Sequence, residues 1–91
     1  MTVKVRIPAP LQRFTNNVAA TQLEVGDMQE LFQGLDKEFP ELRGRIFDRE
    51  DRLSRFIHIY VNEKEVRFLP LDAIPLKEGD EVTLIFAIAG G

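Results

Sequence analysis

The sequence contains no cysteine and no tryptophan, and it has one histidine and one tyrosine among 91 residues. Without cysteine, the chain can form no disulfide, no thiolate metal site and no cysteine nucleophile. The lone histidine, His58, lacks the second histidine that a histidine-based metal site would need. We therefore expect no bound metal and no catalysis by thiol chemistry on a side chain.

Long apolar runs are also absent, so no segment of the sequence is predicted to span a membrane, and no signal-peptide core precedes the first strand. The formal net charge of −3, from 12 basic and 15 acidic residues, disfavours binding to nucleic acid, which requires a basic surface. Hydrophobic residues make up 44% and charged residues 30%, which is typical of a globular domain. We predict a single-domain cytoplasmic protein that binds neither membranes nor nucleic acid.

The first half of the chain predicts a strand hairpin. Apolar Val3, Val5 and Ile7 alternate with charged residues, as in a half-buried strand, and Pro8 and Pro10 end it. Residues 13–17 have the composition of a turn, and residues 18–25 predict a second, weaker strand that pairs with the first.

A helix is predicted next. Asp27 is its expected N-cap, with Glu30 three residues later, and Pro40 ends it. Its apolar residues recur at helical spacing: Met28, Leu31, Phe32, Leu35 and Phe39. Residues 41–47 predict a short further turn, and the polar, arginine-rich residues 48–55 predict a surface loop.

Three strands are predicted in the second half, over residues 56–61, 66–68 and 81–86, with turns at 62–65 and 78–80. The order is then strand, strand, helix and three strands, which predicts an α+β fold. The arrangement that best fits this order is the β-grasp fold: a mixed sheet of about five strands, with one main helix on one face and the first and last strands parallel in the middle. We expect residues 1–86 to form this domain and residues 87–91 to form a flexible tail.

The tail ends in Ala89-Gly90-Gly91, directly after a strand. Two glycines leave the terminal carboxylate unobstructed by side chains, so the tail could enter a narrow active site of another protein. A carboxylate is a poor electrophile, but joining it to AMP supplies a good leaving group that a nucleophile can displace. The alternative interpretation is a frayed terminus made of small residues.

The sequence resembles the ThiS/MoaD family of ubiquitin-like sulfur carriers over essentially its whole length. The resemblance is carried by five segments: residues 25–31 (Val-Gly-Asp-Met-Gln-Glu-Leu), 56–62 (Phe-Ile-His-Ile-Tyr-Val-Asn), 66–68 (Val-Arg-Phe), 76–82 (Leu-Lys-Glu-Gly-Asp-Glu-Val) and 89–91 (Ala-Gly-Gly). Within the family, residues 55–68 and 87–91 look most similar to the actinobacterial carriers of cysteine biosynthesis. Many relatives have proline where Phe86 stands, which leaves the direction of the tail open.

The resemblance implies a mechanism in which Gly91 is adenylated by an ATP-dependent, ThiF/MoeB-like activating enzyme and converted to a thiocarboxylate, with Gly90 as the residue that threads the channel. The chain itself would bind no cofactor, because the partner uses the ATP, and it would be a carrier rather than an enzyme. The thiocarboxylate would then donate sulfur to a second enzyme, such as a cysteine synthase or the large subunit of molybdopterin synthase, in the synthesis of cysteine, thiamin, molybdopterin or thiolated tRNA.

A docking surface is predicted beside the tail. If Ile57, Ile59 and Val61 face the helix, alternate residues face outward and form a partly apolar surface together with tail residues. The predicted partner-binding residues are Phe56, His58, Tyr60, Ile85, Ile88 and Ala89, with Thr83 beside them. Exposed apolar residues next to a functional tail suggest docking, and ordinary surface apolarity is the alternative.

The arginines of residues 43–55 alternate with acidic residues, which predicts a solvated mixed-charge loop rather than an anion-binding site. Three alternative functions remain at this point: the small subunit of molybdopterin synthase, a protein modifier conjugated to lysines, and an interaction domain with an incidental glycine end.

Overall fold

The computed structural model describes residues 1–48, 53–66 and 69–86, which contain a five-stranded mixed sheet. The strands are β1 (Thr2–Arg6), β2 (Ala20–Glu24), β3 (Ile57–Val61), β4 (Lys64–Glu65) and β5 (Glu81–Phe86), arranged in the order β2-β1-β5-β3-β4. The central pair β1 and β5 is parallel, and the other neighbours are antiparallel. The predicted order of elements and the parallel central pair are confirmed.

The β1–β2 hairpin matches its prediction in kind but not in length. Val3 and Val5 are fully buried, as the alternation indicated, whereas β2 begins at Ala20 rather than at residue 18. The connection is more ordered than a simple turn. It contains a 3-10 helix (Ala9–Phe14), and the buried Thr15 hydroxyl lies 2.9 Å from the carbonyl oxygen of Val18. This local packing involves residue 18, which the sequence predicted to be the start of the second strand.

Helix α1 (Met28–Glu38) covers one face of the sheet. The Asp27 carboxylate caps it by accepting a 2.8 Å hydrogen bond from the Glu30 backbone N–H, as predicted. The Glu30 side chain in turn accepts a hydrogen bond from the Gly26 N–H. The apolar stripe of α1 is buried against the inward residues of the strands, so the core lies between the helix and the sheet.

The segment after α1 is more helical than predicted. A 3-10 helix (Pro40–Leu42) leads into the short helix α2 (Arg43–Ile46), which places Leu42 and Ile46 in the core. Phe47 then forms an isolated bridge with Leu53. Residues 49–52 of the predicted surface loop lie outside the described residues.

The β3–β4 hairpin corrects one prediction. Lys64–Glu65, which were predicted to belong to a turn, form strand β4, and the turn shrinks to Asn62 and Glu63. The Val66 N–H donates a hydrogen bond to the Ile59 carbonyl oxygen at 2.9 Å, and residues 67 and 68 lie outside the described residues. The reason is the backbone of the turn: Asn62 (φ 50°) and Glu63 (φ 77°) are left-handed, as a tight two-residue hairpin requires.

Glu63 provides a stability prediction, because glycine adopts its left-handed conformation without the steric cost of a Cβ atom. We expect Glu63→Gly to raise the free energy of unfolding by about 1 kcal/mol, since this cost is about 1–2 kcal/mol and the added chain entropy offsets part of it. Urea denaturation would measure the change, with Lys64→Gly as a control that should lower stability because Lys64 lies in β4. A Glu63→Gly protein less stable than wild type would contradict this account of the turn.

The start of β5 is held by a polar network that the sequence did not predict. Asn62 donates through its Nδ2 to Asp80 Oδ1 at 2.7 Å, and its Oδ1 accepts from the Glu81 N–H at 2.9 Å. The predicted turn before β5 is present, with Gly79 at a φ of 83°. These contacts fix the register of β5, and the register decides which residues face outward near its end.

Within the described residues, no helix is long and apolar enough to cross a membrane, and α1 has only 11 residues.

A 3-10 helix (Leu71–Ala73) and the buried Ile74 cover the remaining edge of the core.

Candidate functional site

Strand β5 is the element that organises the candidate site. Val82 and Leu84 point into the core and are fully buried, whereas Ile85 is 40% exposed on the opposite face. Phe86 is the last residue of the strand and packs against the edge of the core. Since residues 87–91 follow directly in the sequence, β5 joins the buried centre of the domain to the glycine end.

The sheet surface opposite the helix carries the residues predicted to bind a partner, and we call it the outer face. Across β3 and β5, His58 is paired with Ile85 and Tyr60 with Thr83. An open cavity of about 450 Å³ lies on this face. Its lining residues are Tyr60, Glu63, Glu81, Thr83 and Ile85.

Charged residues border the apolar centre of the outer face on the β1 side. Lys4 and Arg6 are register partners of Glu81 and Thr83, and Arg6 Nε lies 3.0 Å from Glu81 Oε1. Prediction from the sequence omitted these residues from the surface. The alternation of Lys4 and Arg6 with buried Val3 and Val5 was the signal that could have placed them there.

Phe56 occupies a different position from the other predicted docking residues. It precedes β3 by one residue, and its ring centroid lies 6.2 Å from that of Phe86. Phe86 belongs to the residues that pack against the core. The structure therefore groups His58, Tyr60, Thr83 and Ile85 on the outer face and places Phe56 at the end of the sheet from which the tail continues.

His58 has a specific neighbour that the sequence did not reveal. Its Nδ1 lies 2.8 Å from Glu65 Oε2, and the two side chains are about equally exposed, at 26% and 25%. Glu65 lies in β4, which was predicted to be part of a turn, so no sequence signal connected the two residues. Within the residues that the structure describes, no group of three histidine, aspartate or glutamate side chains is placed to hold a metal ion.

The four predicted site residues of the tail, Ile88, Ala89, Gly90 and Gly91, lie outside the described residues. The structure locates the point from which they continue: the end of β5, next to Ile57 at the start of β3. Both the outer face and the end of the sheet are therefore adjacent to the tail along the chain.

Comparison with known families gives a match to the model of the ThiS family over residues 5–91, which includes both terminal glycines. Among characterised proteins, the chain is similar to the sulfur carrier protein CysO of Mycobacterium tuberculosis. The two are 31% identical over 93 residues, and the alignment covers all of both chains.

Solved structures agree with this comparison. The chain is similar to a chain in the BexX/CysO complex of Amycolatopsis orientalis, with a TM-score of 0.83, 30% identity and coverage of 98% and 99% of the two chains. SAMP1 of Haloferax volcanii has the same fold, with a TM-score of 0.85 and complete coverage of both chains at 19% identity. These similarities confirm the predicted ubiquitin-like, β-grasp fold.

Proposed function

Because the chain belongs to the ThiS family, we propose that it is a ubiquitin-like sulfur carrier whose working group is the carboxylate of Gly91. The observation that carries this proposal is the extent of the family match, which runs through residue 91 and so includes the glycine end. The full-length similarity to the sulfur carrier CysO supports the same function. Since the chain has no cysteine, any sulfur that it carries covalently must be held by another group.

The proposed chemistry has two steps, both catalysed by a partner. In the first, a carboxylate oxygen of Gly91 attacks the α-phosphorus of ATP, which forms an acyl-adenylate and releases pyrophosphate. In the second, hydrosulfide attacks the acyl carbon, the new C–S bond forms, the bond to the AMP oxygen breaks, and the thiocarboxylate and AMP are released with one proton. ATP is a substrate of the activating enzyme, so the carrier needs no bound cofactor.

Two kinds of partner follow from this chemistry: a ThiF/MoeB-like adenylating enzyme and an enzyme that accepts the sulfur. The similarity to CysO favours an acceptor that makes cysteine, such as a cysteine synthase. In this scheme the chain is a co-substrate of two enzymes and has no turnover of its own.

We further propose that the adenylating enzyme docks on the outer face. Ile85 is the exposed apolar residue at its centre and lies on the strand that continues into the tail, so a partner that holds this face can also receive Gly91. Exposed apolar side chains with polar neighbours are typical of such interfaces. Tyr60 supplies an aromatic anchor on the same face, and Ile88 and Ala89 would contact the channel that admits the tail.

Alkylation provides a direct test, because the sequence contains no cysteine to react. The protein would be purified from its host under conditions that preserve thiocarboxylates and treated with iodoacetamide at neutral pH. We expect a fraction of the molecules to gain one acetamide group, and fragmentation to locate it on Gly91. A protein lacking Gly91 should gain none.

The matched control is the same protein produced in a host without a ThiF/MoeB-like enzyme, which should remain unmodified. Alkylation confined to methionine, or equal alkylation with and without Gly91, would count against the carrier function.

A further inference from the structure

Three arginines surround the end of the sheet from which the tail continues, and each lies over an aromatic ring. The guanidinium carbon of Arg45 is 4.5 Å and that of Arg13 is 5.8 Å from the ring centroid of Phe14. That of Arg55 is 5.0 Å from the ring centroid of Phe56. We call Arg13, Arg45 and Arg55 the arginine collar.

The collar flanks Phe86 on two sides. On one side, Arg13, Arg45 and Phe86 line a cavity of about 250 Å³, together with Phe14 and residues 10–11. On the other side, the ring that lies under Arg55 is the ring that contacts Phe86. Arg13 is more than thirty positions before Arg45 and Arg55 in the sequence, and the fold brings the three cations to the two sides of Phe86, the last described residue before the tail.

The collar is exposed, and no carboxylate among the described residues lies within ion-pair distance of its three guanidinium groups. Three other cations of the described residues are paired, Arg43 with Asp36 at 2.5 Å and both Lys4 and Arg6 with Glu81, whereas Lys37, Lys64 and Lys77 are exposed singly rather than clustered. An unpaired basic cluster is notable in a chain with a net charge of −3. It provides a local field of opposite sign to the charge of the whole domain.

Stacking on a ring prepares an arginine to bind an anion. The aromatic face restricts the side chain and leaves the N–H donors at the edge of the guanidinium plane available, so less conformational entropy is lost on binding. These donors match a carboxylate in bidentate geometry. The acidic character of the whole chain disfavours nucleic acid as the ligand, which leaves an acidic protein surface as the occupant that fits.

We propose that the arginine collar binds carboxylates at the rim of the channel through which the adenylating enzyme receives the tail. This inference rests on the proposed carrier function. The collar would orient the domain by long-range attraction, because it flanks Phe86, the last described residue before the tail, while the outer face provides the apolar contact. The partner is thus predicted to have aspartate or glutamate residues around the entrance to its active site.

The test compares two triple variants with equal charge. One is Arg13→Gln, Arg45→Gln and Arg55→Gln. The other is Lys37→Gln, Lys64→Gln and Lys77→Gln, at exposed positions that form no ion pair with any described residue. Each changes the formal net charge from −3 to −6. The initial rate of thiocarboxylate formation would be measured by intact mass in desalted host extract with ATP and sulfide. The assay would be run at about 0.01 M salt, where the Debye length is about 30 Å, and at about 0.15 M salt, where it is about 8 Å.

At low salt we expect the collar variant to react at least about tenfold more slowly than wild type, and the difference to shrink at higher salt, as for electrostatically steered association. The lysine variant should stay within about twofold of wild type, since its charges lie outside the contact. A third protein with lysine at the three collar positions should recover part of the rate, which excludes misfolding as the cause. Equal rates for the two glutamine variants would overturn the proposed role of the collar in docking. Absence of thiocarboxylate even in wild type would overturn the carrier function itself.

Discussion

Replacing Gly90 with valine is expected to reduce the rate of thiocarboxylate formation at Gly91 by at least about 100-fold, since a misplacement of about 1 Å at a reacting group can cost this much. The physical reason is steric. In the proposed mechanism the tail enters a channel narrow enough to align the carboxylate with ATP, and a β-branched side chain one residue before the reacting group would obstruct entry. Gly90→Ala should give a smaller reduction, because it adds one methyl group.

The matched control for this experiment is Gly44→Val. Gly44 lies in α2, and a Cβ atom at this position would meet no heavy atom from other parts of the fold within 4 Å, so the position is open to a side chain. Its rate should be close to that of wild type, and the unfolding curves of both variants should resemble the wild-type curve. A Gly90→Val protein that is converted as fast as wild type would contradict the threading role of Gly90.

The neighbouring residues Leu84 and Ile85 predict a separation of stability from activation. Leu84 is fully buried, so Leu84→Ala should lower the free energy of unfolding by about 3 kcal/mol, within the range for buried leucines. Ile85 is 40% exposed on the outer face, and Ile85→Ala should change stability by less than about 0.5 kcal/mol. The Ile85 variant should instead slow thiocarboxylate formation about tenfold at limiting enzyme, as expected for an interface anchor worth about 1.4 kcal/mol.

Leu69→Ala is the control for the loss of an exposed apolar side chain, because Leu69 is 45% exposed and belongs to no strand of the sheet. It should leave both stability and rate nearly unchanged. The Ile85 effect should also persist at higher salt, in contrast to that of the collar, because apolar burial is not screened by ions. Full activity of the Ile85→Ala protein would show that the outer face is not the docking surface.

The elements with a strong local pattern were predictable from the sequence. The alternation of Val3 and Val5, the Asp27 cap and the apolar stripe of α1 each fix a structure through neighbours in the chain, and each was confirmed. The position of β4 was not predicted, because Lys64 and Glu65 have the composition of a turn, whereas their pairing with β3 is decided by the left-handed backbone at Asn62 and Glu63.

Features of the site that depend on contacts distant in sequence could not be predicted in this way. The arginines of residues 43–55 were interpreted as one solvated group, but the fold separates them: Arg43 pairs with Asp36, while Arg45 lies on Phe14, which is 31 positions earlier in the chain. The His58–Glu65 contact likewise depends on the register of a two-residue strand. The composition of a segment shows which charged side chains it carries, but it does not show which residues those side chains contact in the fold.

The alternative functions differ from the carrier in what happens to the tail. A protein modifier would leave Gly-Gly remnants on lysines of other proteins, and a molybdopterin synthase subunit would co-purify with a larger partner over an extensive apolar interface. SAMP1 of Haloferax volcanii shares the fold at 19% identity, which shows the architecture alone. Affinity purification from the host followed by peptide mass spectrometry would separate these outcomes.

The measurement that tests the central claim most directly is the intact mass of the protein after incubation with ATP, a sulfide source and host extract, beside a control that lacks Gly91. The carrier function predicts a gain equal to the replacement of one oxygen by sulfur, dependent on ATP and absent from the control. An unchanged mass in the wild-type protein, with no acyl-adenylate trapped when sulfide is omitted, would contradict it.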